Sequence, residues 1–118
     1  MSITPTFDPL ADAYDEWYDT LAGKAVFQEE VECLRRLFDG NSGRWLEVGV
    51  GTGRFAKALD IAYGIDISPC MAAKAARRGV RILVGRAEQL PVKTSTIDGV
   101  LMALALCFLE NPDAALRE

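Results

Sequence analysis

"LEVGVGTG", residues 46–53, sets three glycines at alternate positions directly behind a short apolar run. Gly49, Gly51 and Gly53 carry no Cβ, so the turn they form can take positive φ and let a ligand approach the backbone closely. A tight strand-to-helix turn with no ligand satisfies the same spacing, and the loop alone leaves both readings open. Its surroundings decide the fold. "RWLEVG" (44–49) reads as a buried strand and residues 53–59 as a helix. "IAYGIDI" (61–67) reads as a second strand and "SPCMAAKAARRG" (68–79) as a second helix. "VRILVG" (80–85) reads as a third strand, and "STIDGVLMALALCFL" (95–109) contains a fourth. Strands that alternate with short helices pair in parallel, because a parallel pair needs a crossover and a helix supplies it. The expected class is α/β with a Rossmann-like, doubly wound parallel sheet.

Upstream of the glycines the pattern is helical. Asp8 can cap a helix with Pro9 in its first turn, and "LADAYDEWYDT" (10–20) is aromatic and acidic. After Gly23, Phe27, Val31, Leu34 and Phe38 recur at helical spacing with charged residues between them, an amphipathic helix that stops near "DGNSG" (39–43). Residues 1–40 are therefore expected to form a helical cap or lid, and residues 41–118 the sheet-bearing part of a single domain.

Composition narrows the function. The chain has 118 residues, half of them apolar and a quarter charged, with a net charge of −4. Acids and bases are interspersed and no basic stripe is available to neutralise a phosphate backbone, which argues against nucleic acid as a partner. There is no His, and Cys33, Cys70 and Cys107 form no Cys-x-x-Cys pair. That pattern argues against a metal site, disulfides and histidine catalysis, and for a reducing, cytoplasmic setting. The opening "MSITPTFDP" (1–9) lacks a basic flank and an apolar core, so a signal peptide is not expected there. The longest apolar run, "GVLMALALCFL" (99–109), is well short of the ~20 residues that a membrane helix needs.

In a doubly wound sheet, ligands bind outside the carboxyl ends of the strands, where strand order reverses. The glycine turn falls there. Asp66 ends the second strand, Glu88 follows the third in "GRAEQLP" (85–91), and Asp98 lies in the fourth-strand segment. Gly49, Asp66 and Glu88 should therefore converge on one crevice. Asp66 could instead cap the helix after Ser68-Pro69, and Glu88 could be a solvated loop acid.

From "FDPLADAYDEWYD" (7–19) to the end, the chain resembles the class I S-adenosylmethionine-dependent methyltransferases, and within them the small-molecule type 11 group that includes the quinone-biosynthesis enzymes. The family's first motif is an acid, a variable residue and Gly-x-Gly-x-Gly, here Glu47-Val48-Gly49-Val50-Gly51-Thr52-Gly53. A nicotinamide-binding turn would want glycine at 54, where Arg54 stands. The resemblance implies a methyltransferase that uses S-adenosyl-L-methionine, releases S-adenosyl-L-homocysteine and methylates a small-molecule acceptor. It places Glu47, Gly49, Gly51 and Gly53 around the methionine part of the donor and Asp66 on the ribose hydroxyls. Ile67 would lie on the adenine ring, with Ala87 and Glu88 at its edge. Tyr14 and Tyr18 would close the pocket, unless they are plain core aromatics. Ala103, Leu104 and Leu106 would face the point where donor and acceptor meet. No catalytic residue is named, because an activated methyl group mainly requires alignment and exclusion of water.

Family members continue past the fourth strand, whereas here a helix capped by Asn111-Pro112 runs to Glu118. The sheet is therefore expected to lack its C-terminal half, and the run Val100 to Leu106, read as buried on both faces, is expected to promote self-association if left at an edge. Two rival readings stand beside the enzyme: a non-catalytic donor-binding module, and a nicotinamide- or flavin-linked oxidoreductase.

Overall fold

The structure, a computed structural model, describes residues 8–38, 43–103, 105 and 109–118. Its elements follow the order expected of an α/β chain. A 3-10 turn (Asp8–Leu10) runs into α1 (Ala11–Asp19), followed by α2 (Leu21–Phe38), β1 (Trp45–Val48), α3 (Arg54–Ala58) and β2 (Tyr63–Asp66). Then come α4 (Pro69–Arg77), β3 (Arg81–Val84), β4 (Gly99–Leu101) and α5 (Pro112–Arg117). The strands form one parallel sheet in the order β3-β2-β1-β4. Strand order reverses at β1, so the crevice opens beyond the carboxyl ends of β1 and β4.

Local chemistry explains most boundaries. Ser68 caps α4, its hydroxyl accepting from Met71 N at 3.2 Å, with Pro69 in the first turn. Asn111 does the same for α5, accepting from Ala114 N at 3.0 Å. The N-terminal helices differ from expectation. Leu10, not Asp8, takes the cap position of α1 and makes no side-chain cap bond. α2 begins at Leu21, two residues before Gly23. Thr20 is the reason: its hydroxyl donates to Trp17 O at 2.6 Å, ending α1, and accepts from Gly23 N at 3.0 Å, opening α2. Gly23 is thus not a break; a Cβ there would overlap the Trp17 carbonyl where the two helices cross.

β1 is buried on both faces, as a central parallel strand should be. One apolar cluster gathers around Val50, Ala56, Ile61, Ala75 and Val80 on one face of the sheet, and another around Leu46, Val48, Ile65 and Ala87. Both outer strands are exposed. β3 is largely so, with Leu83 at 52% and Val84 at 55%, because it is an edge strand. β4 is three residues long and forms the other edge, and Val100, in the run whose composition suits a strand buried on both faces, is 50% exposed there. Leu104, Leu106 and Cys107 lie outside the described residues. Among the described residues no helix is long and apolar enough to cross a membrane.

Candidate functional site

The glycine turn curls back over the end of β2. Gly49 N and Val50 N both donate to Ile65 O, at 2.8 and 3.0 Å, and Gly51 N donates to Asp66 Oδ2 at 2.8 Å. Gly49, Gly51 and Gly53 have φ of 73°, 57° and 82°, the left-handed region that glycine alone enters without penalty. At Gly51 an added Cβ would meet no atom within 4 Å, whereas at Gly53 it would strike Ala75 Cα at 2.9 Å. The two glycines therefore do different work. Gly51 keeps space open, and Gly53 lets α3 pack against α4.

That open space is a cavity of about 510 Å³, within the ~300–1,000 Å³ typical of small-molecule sites. Ten of the expected residues border it: Tyr14, Tyr18, Glu47, Gly49, Gly51, Asp66, Ile67, Ala87, Glu88 and Ala103. Gly53 does not; it supports the turn from behind. Asp98 is not part of the site either. It precedes β4 at the opposite end of the sheet, where its Oδ2 accepts from Arg44 N at 2.6 Å.

The acids at the cavity differ in state. Asp66 is held by backbone donors, Oδ2 by Gly51 N and Oδ1 by Ser68 N at 2.9 Å, so its carboxylate is fixed at the rim. Helix capping falls to the Ser68 hydroxyl instead. Glu88 Oε2 accepts from Asn111 N at 3.2 Å and lies 3.8 Å from Arg86, tying the loop after β3 to the start of α5. Glu47 is only 1% exposed, and its Oε1 has no hydrogen-bond partner. Burial pushes its carboxyl up to about 8 against the Ala56 N–H, which favours the charged form, and the Asp66 carboxylate adds to the rise. Such an orphaned buried oxygen beside an open cavity is what a cationic or hydrogen-bonding ligand group would satisfy.

Tyr18 belongs to both readings offered for it. It is 6% exposed, borders the cavity, and packs edge-on against Tyr14, Trp17, Phe27 and Phe55. Tyr14, 38% exposed, lies outside the core and at the cavity mouth. Burial of its hydroxyl, then the Tyr18 hydroxyl and the surrounding negative charge, drive its pKa far upward, so it stays a neutral hydrogen-bonding group.

Sequence reasoning missed several wall residues, among them Leu10, Phe55, Met71 and Glu110. It also missed an ion-pair cluster behind the tyrosines. Asp15 joins Arg54 at 2.9 Å and Arg78 at 3.0 Å, Asp19 joins Arg54 at 3.0 Å, and Asp12 joins Lys74 at 2.6 Å. A signal existed: Asp12, Asp15 and Asp19 recur at helical spacing on α1, and Lys74 and Arg78 are four apart along the α4 segment.

The chain has recognisable relatives among known proteins. An uncharacterized protein of Methanocaldococcus jannaschii is 41% identical over 112 residues, covering 95% of this chain and 53% of its own. A ubiquinone/menaquinone biosynthesis C-methyltransferase of Syntrophotalea carbinolica is 27% identical, with 97% of this chain and 53% of the enzyme covered. The crystal structure of a SAM-dependent methyltransferase from Thermotoga maritima superposes with a TM-score of 0.89 at 36% identity, covering 98% of this chain and 54% of that one. The chain spans about half the length of these relatives. Residues 46–118 match the family described as Methyltransferase domain, and with the parallel β3-β2-β1-β4 sheet that match shows that the chain belongs to the methyltransferase domain family of class I, S-adenosylmethionine-dependent fold.

Proposed function

We propose that the cavity holds S-adenosylmethionine and that the protein transfers its methyl group to a small-molecule acceptor by in-line displacement. The observation that carries this reading is the buried Glu47 carboxyl with an unpartnered oxygen, set beside a glycine turn that leaves room at Gly51. In this reading the Glu47 side chain meets the donor's ammonium group and the Gly51 backbone faces its methionine part. The Asp66 carboxylate, already oriented by two backbone donors, accepts the ribose hydroxyls. Ile67 and Ala87 cover the adenine ring with Glu88 at its edge, and Tyr14 and Tyr18 close the site from α1. Ala103 borders the wall toward the acceptor. The bound donor supplies an electrophilic methyl group, so the protein's part is to align the acceptor and keep water out. We assign no general base: the Tyr14 phenol is held protonated, and Asp66 and Glu88 are engaged by backbone N–H groups.

Arg54 argues against a nicotinamide-linked alternative. It occupies the position where a pyrophosphate turn would need glycine, and it is committed to Asp15 and Asp19. Donor binding without turnover is the second reading, kept because no cavity residue is assigned a role in proton transfer. Within the enzyme reading, the 27% identical quinone-pathway relative supports a quinone-like acceptor, and the apolar wall residues suit one. We also propose a reducing, cytoplasmic setting, and self-association through the exposed edge at Val100.

Calorimetric titration with S-adenosylhomocysteine, with NADH in a parallel run, tests the reading. Saturable binding of the first alone is expected; binding of NADH alone would overturn it. Transfer of label from methyl-labelled donor to a quinol then separates turnover from binding. Asp66→Ala should lose charged hydrogen bonds worth ~1.5–3 kcal/mol each, a decrease of about tenfold or more in affinity. Circular dichroism checks that the variant is folded, since Asp66 also anchors Gly51 and Ser68. Unchanged affinity in a folded variant removes Asp66 from the site.

A further inference from the structure

Arg54 and the acidic face of α1 are joined in a way that the donor site alone does not require. Asp15 is 15% exposed at its side chain and sits between two arginines. Its Oδ1 accepts from Arg54 Nε at 2.9 Å, and its Oδ2 accepts from Arg78 Nη1 at 3.0 Å. Arg54 Nη2 also donates to the Asp15 carbonyl at 2.9 Å, so both the side chain and the backbone of α1 are held at this point. Arg78 Nη1 reaches further, donating to Thr52 O at 2.9 Å. Thr52 is 1% exposed and lies between Gly51 and Gly53. One carboxylate therefore links α1, through Arg78, to the backbone of the glycine turn.

Asp15 does not border the cavity, but its sequence neighbours Tyr14 and Tyr18 do. Arg54 also lies over the Tyr18 ring, 5.6 Å from its centroid. Any displacement of α1 that withdraws the two tyrosines must break the Asp15 pairs. Any shift of the turn at Thr52 pulls on the same Arg78.

We propose that Asp15 is a positioning residue that fixes the tyrosine-bearing helix and the glycine turn as one unit, so that capture and release of the donor require its arginine pairs to open. The proposal rests on the donor-binding reading of the cavity, while the mechanical coupling it describes is measurable without ligand. A pair at this depth is screened by salt far less than a surface pair, and removing one partner strands the other. Burial raises the Asp15 pKa, but the Thr52 hydroxyl, Arg54 and Arg78 outweigh it and the net shift is downward, so the carboxylate stays charged.

Amide hydrogen exchange on the full chain, with stopped-flow release of S-adenosylhomocysteine, tests the proposal. In Asp15→Asn, exchange in residues 11–19 and 49–53 is expected to rise together by about tenfold, while the β1 and β2 amides keep the parent rates. Release is expected to quicken by about tenfold, with Asp15→Glu restoring part of the loss. Arg78→Lys, which keeps the charge but replaces the rigid guanidinium whose Nη1 meets both acceptors with a flexible ammonium, is the second variant should Asp15→Asn fail to fold. A rise confined to 11–19 overturns the coupling, and so does a uniform rise across the sheet, which marks a merely structural role. Unchanged release from a variant of a binding-competent parent overturns it as well. If the parent binds no S-adenosylhomocysteine, the donor reading fails, and exchange alone upholds or overturns the coupling of α1 to the turn.

Discussion

Glu47→Gln should be more stable than the parent at pH 8.5, by roughly 2 to 4 kcal/mol, and the difference should shrink as pH falls toward 4.5. The folded-state pKa of Glu47 is pushed up to about 8 from an ordinary value of 4.5. Between those values the folded chain retains a proton that the unfolded chain has released, so stability falls as pH rises through the window. At ~1.4 kcal/mol per pKa unit, a shift of this size outweighs the ~1 kcal/mol lost by burying an amide with unmet donors. Urea unfolding at pH 5.5, 7 and 8.5 reads the effect directly. A stability difference independent of pH would mean that Glu47 is not the buried proton carrier described above.

The same substitution should weaken S-adenosylmethionine binding by about tenfold or more, since a charge-assisted contact is worth ~1.5–3 kcal/mol. In the parent, affinity should rise with pH up to about 8, because only the ionised carboxyl meets a cation fully; in Glu47→Gln that rise should vanish. A residue that costs stability and serves binding is the trade-off expected at a functional site. Asp66, which raises the pKa of this group, and Tyr14, whose own pKa this group raises, are its ionisable neighbours. Neither is a cation that would relieve its burial.

How far the sequence could be read depended on the range of the interaction involved. The order of strands and helices from Trp45 to Arg117, and the Asn111 cap, are encoded within a few residues and were legible; for α4 the cap weighed was Asp66, and the structure gives the role to Ser68. Also legible was the convergence of Gly49, Asp66 and Glu88, because parallel strands bring their carboxyl ends to one side. The exposure of β3 was not legible, because an apolar strand at a sheet edge has the same composition as one in the middle, and only its neighbours distinguish them. Asp98 was read only as part of the fourth-strand segment because the register of β4 cannot be read locally; pairing Gly99 with Trp45 puts Asp98 at the amino end of the sheet. The Asp15 cluster escaped notice since its partners are 39 and 63 residues away, although the spacing of the acids on α1 was there to see.

The three glycines look alike in sequence, yet substitutions at Gly51 and Gly53 should part company. Gly53→Ala should cost ~2–4 kcal/mol of stability, since it combines a left-handed backbone that penalises a side chain with overlap on Ala75. At φ 82° the added methyl carbon would lie 2.9 Å from Ala75 Cα and 3.0 Å from its Cβ, and neither backbone can yield without separating α3 from α4. Gly51→Ala carries the backbone penalty alone, ~1–2 kcal/mol, because its methyl enters open space. That open space is the proposed seat of the donor's methionine part, so Gly51→Ala should lower affinity for S-adenosylhomocysteine by about tenfold or more. Urea midpoints paired with calorimetric titration separate the two effects. Gly51→Ala binding at the parent's affinity would remove the turn from the donor site, and Gly53→Ala folding as stably as the parent would show that α4 can move aside. The contrast matters because loss of binding in Gly53→Ala alone could be ascribed to unfolding, whereas the same loss in a stable Gly51→Ala has only the crowded cavity to explain it.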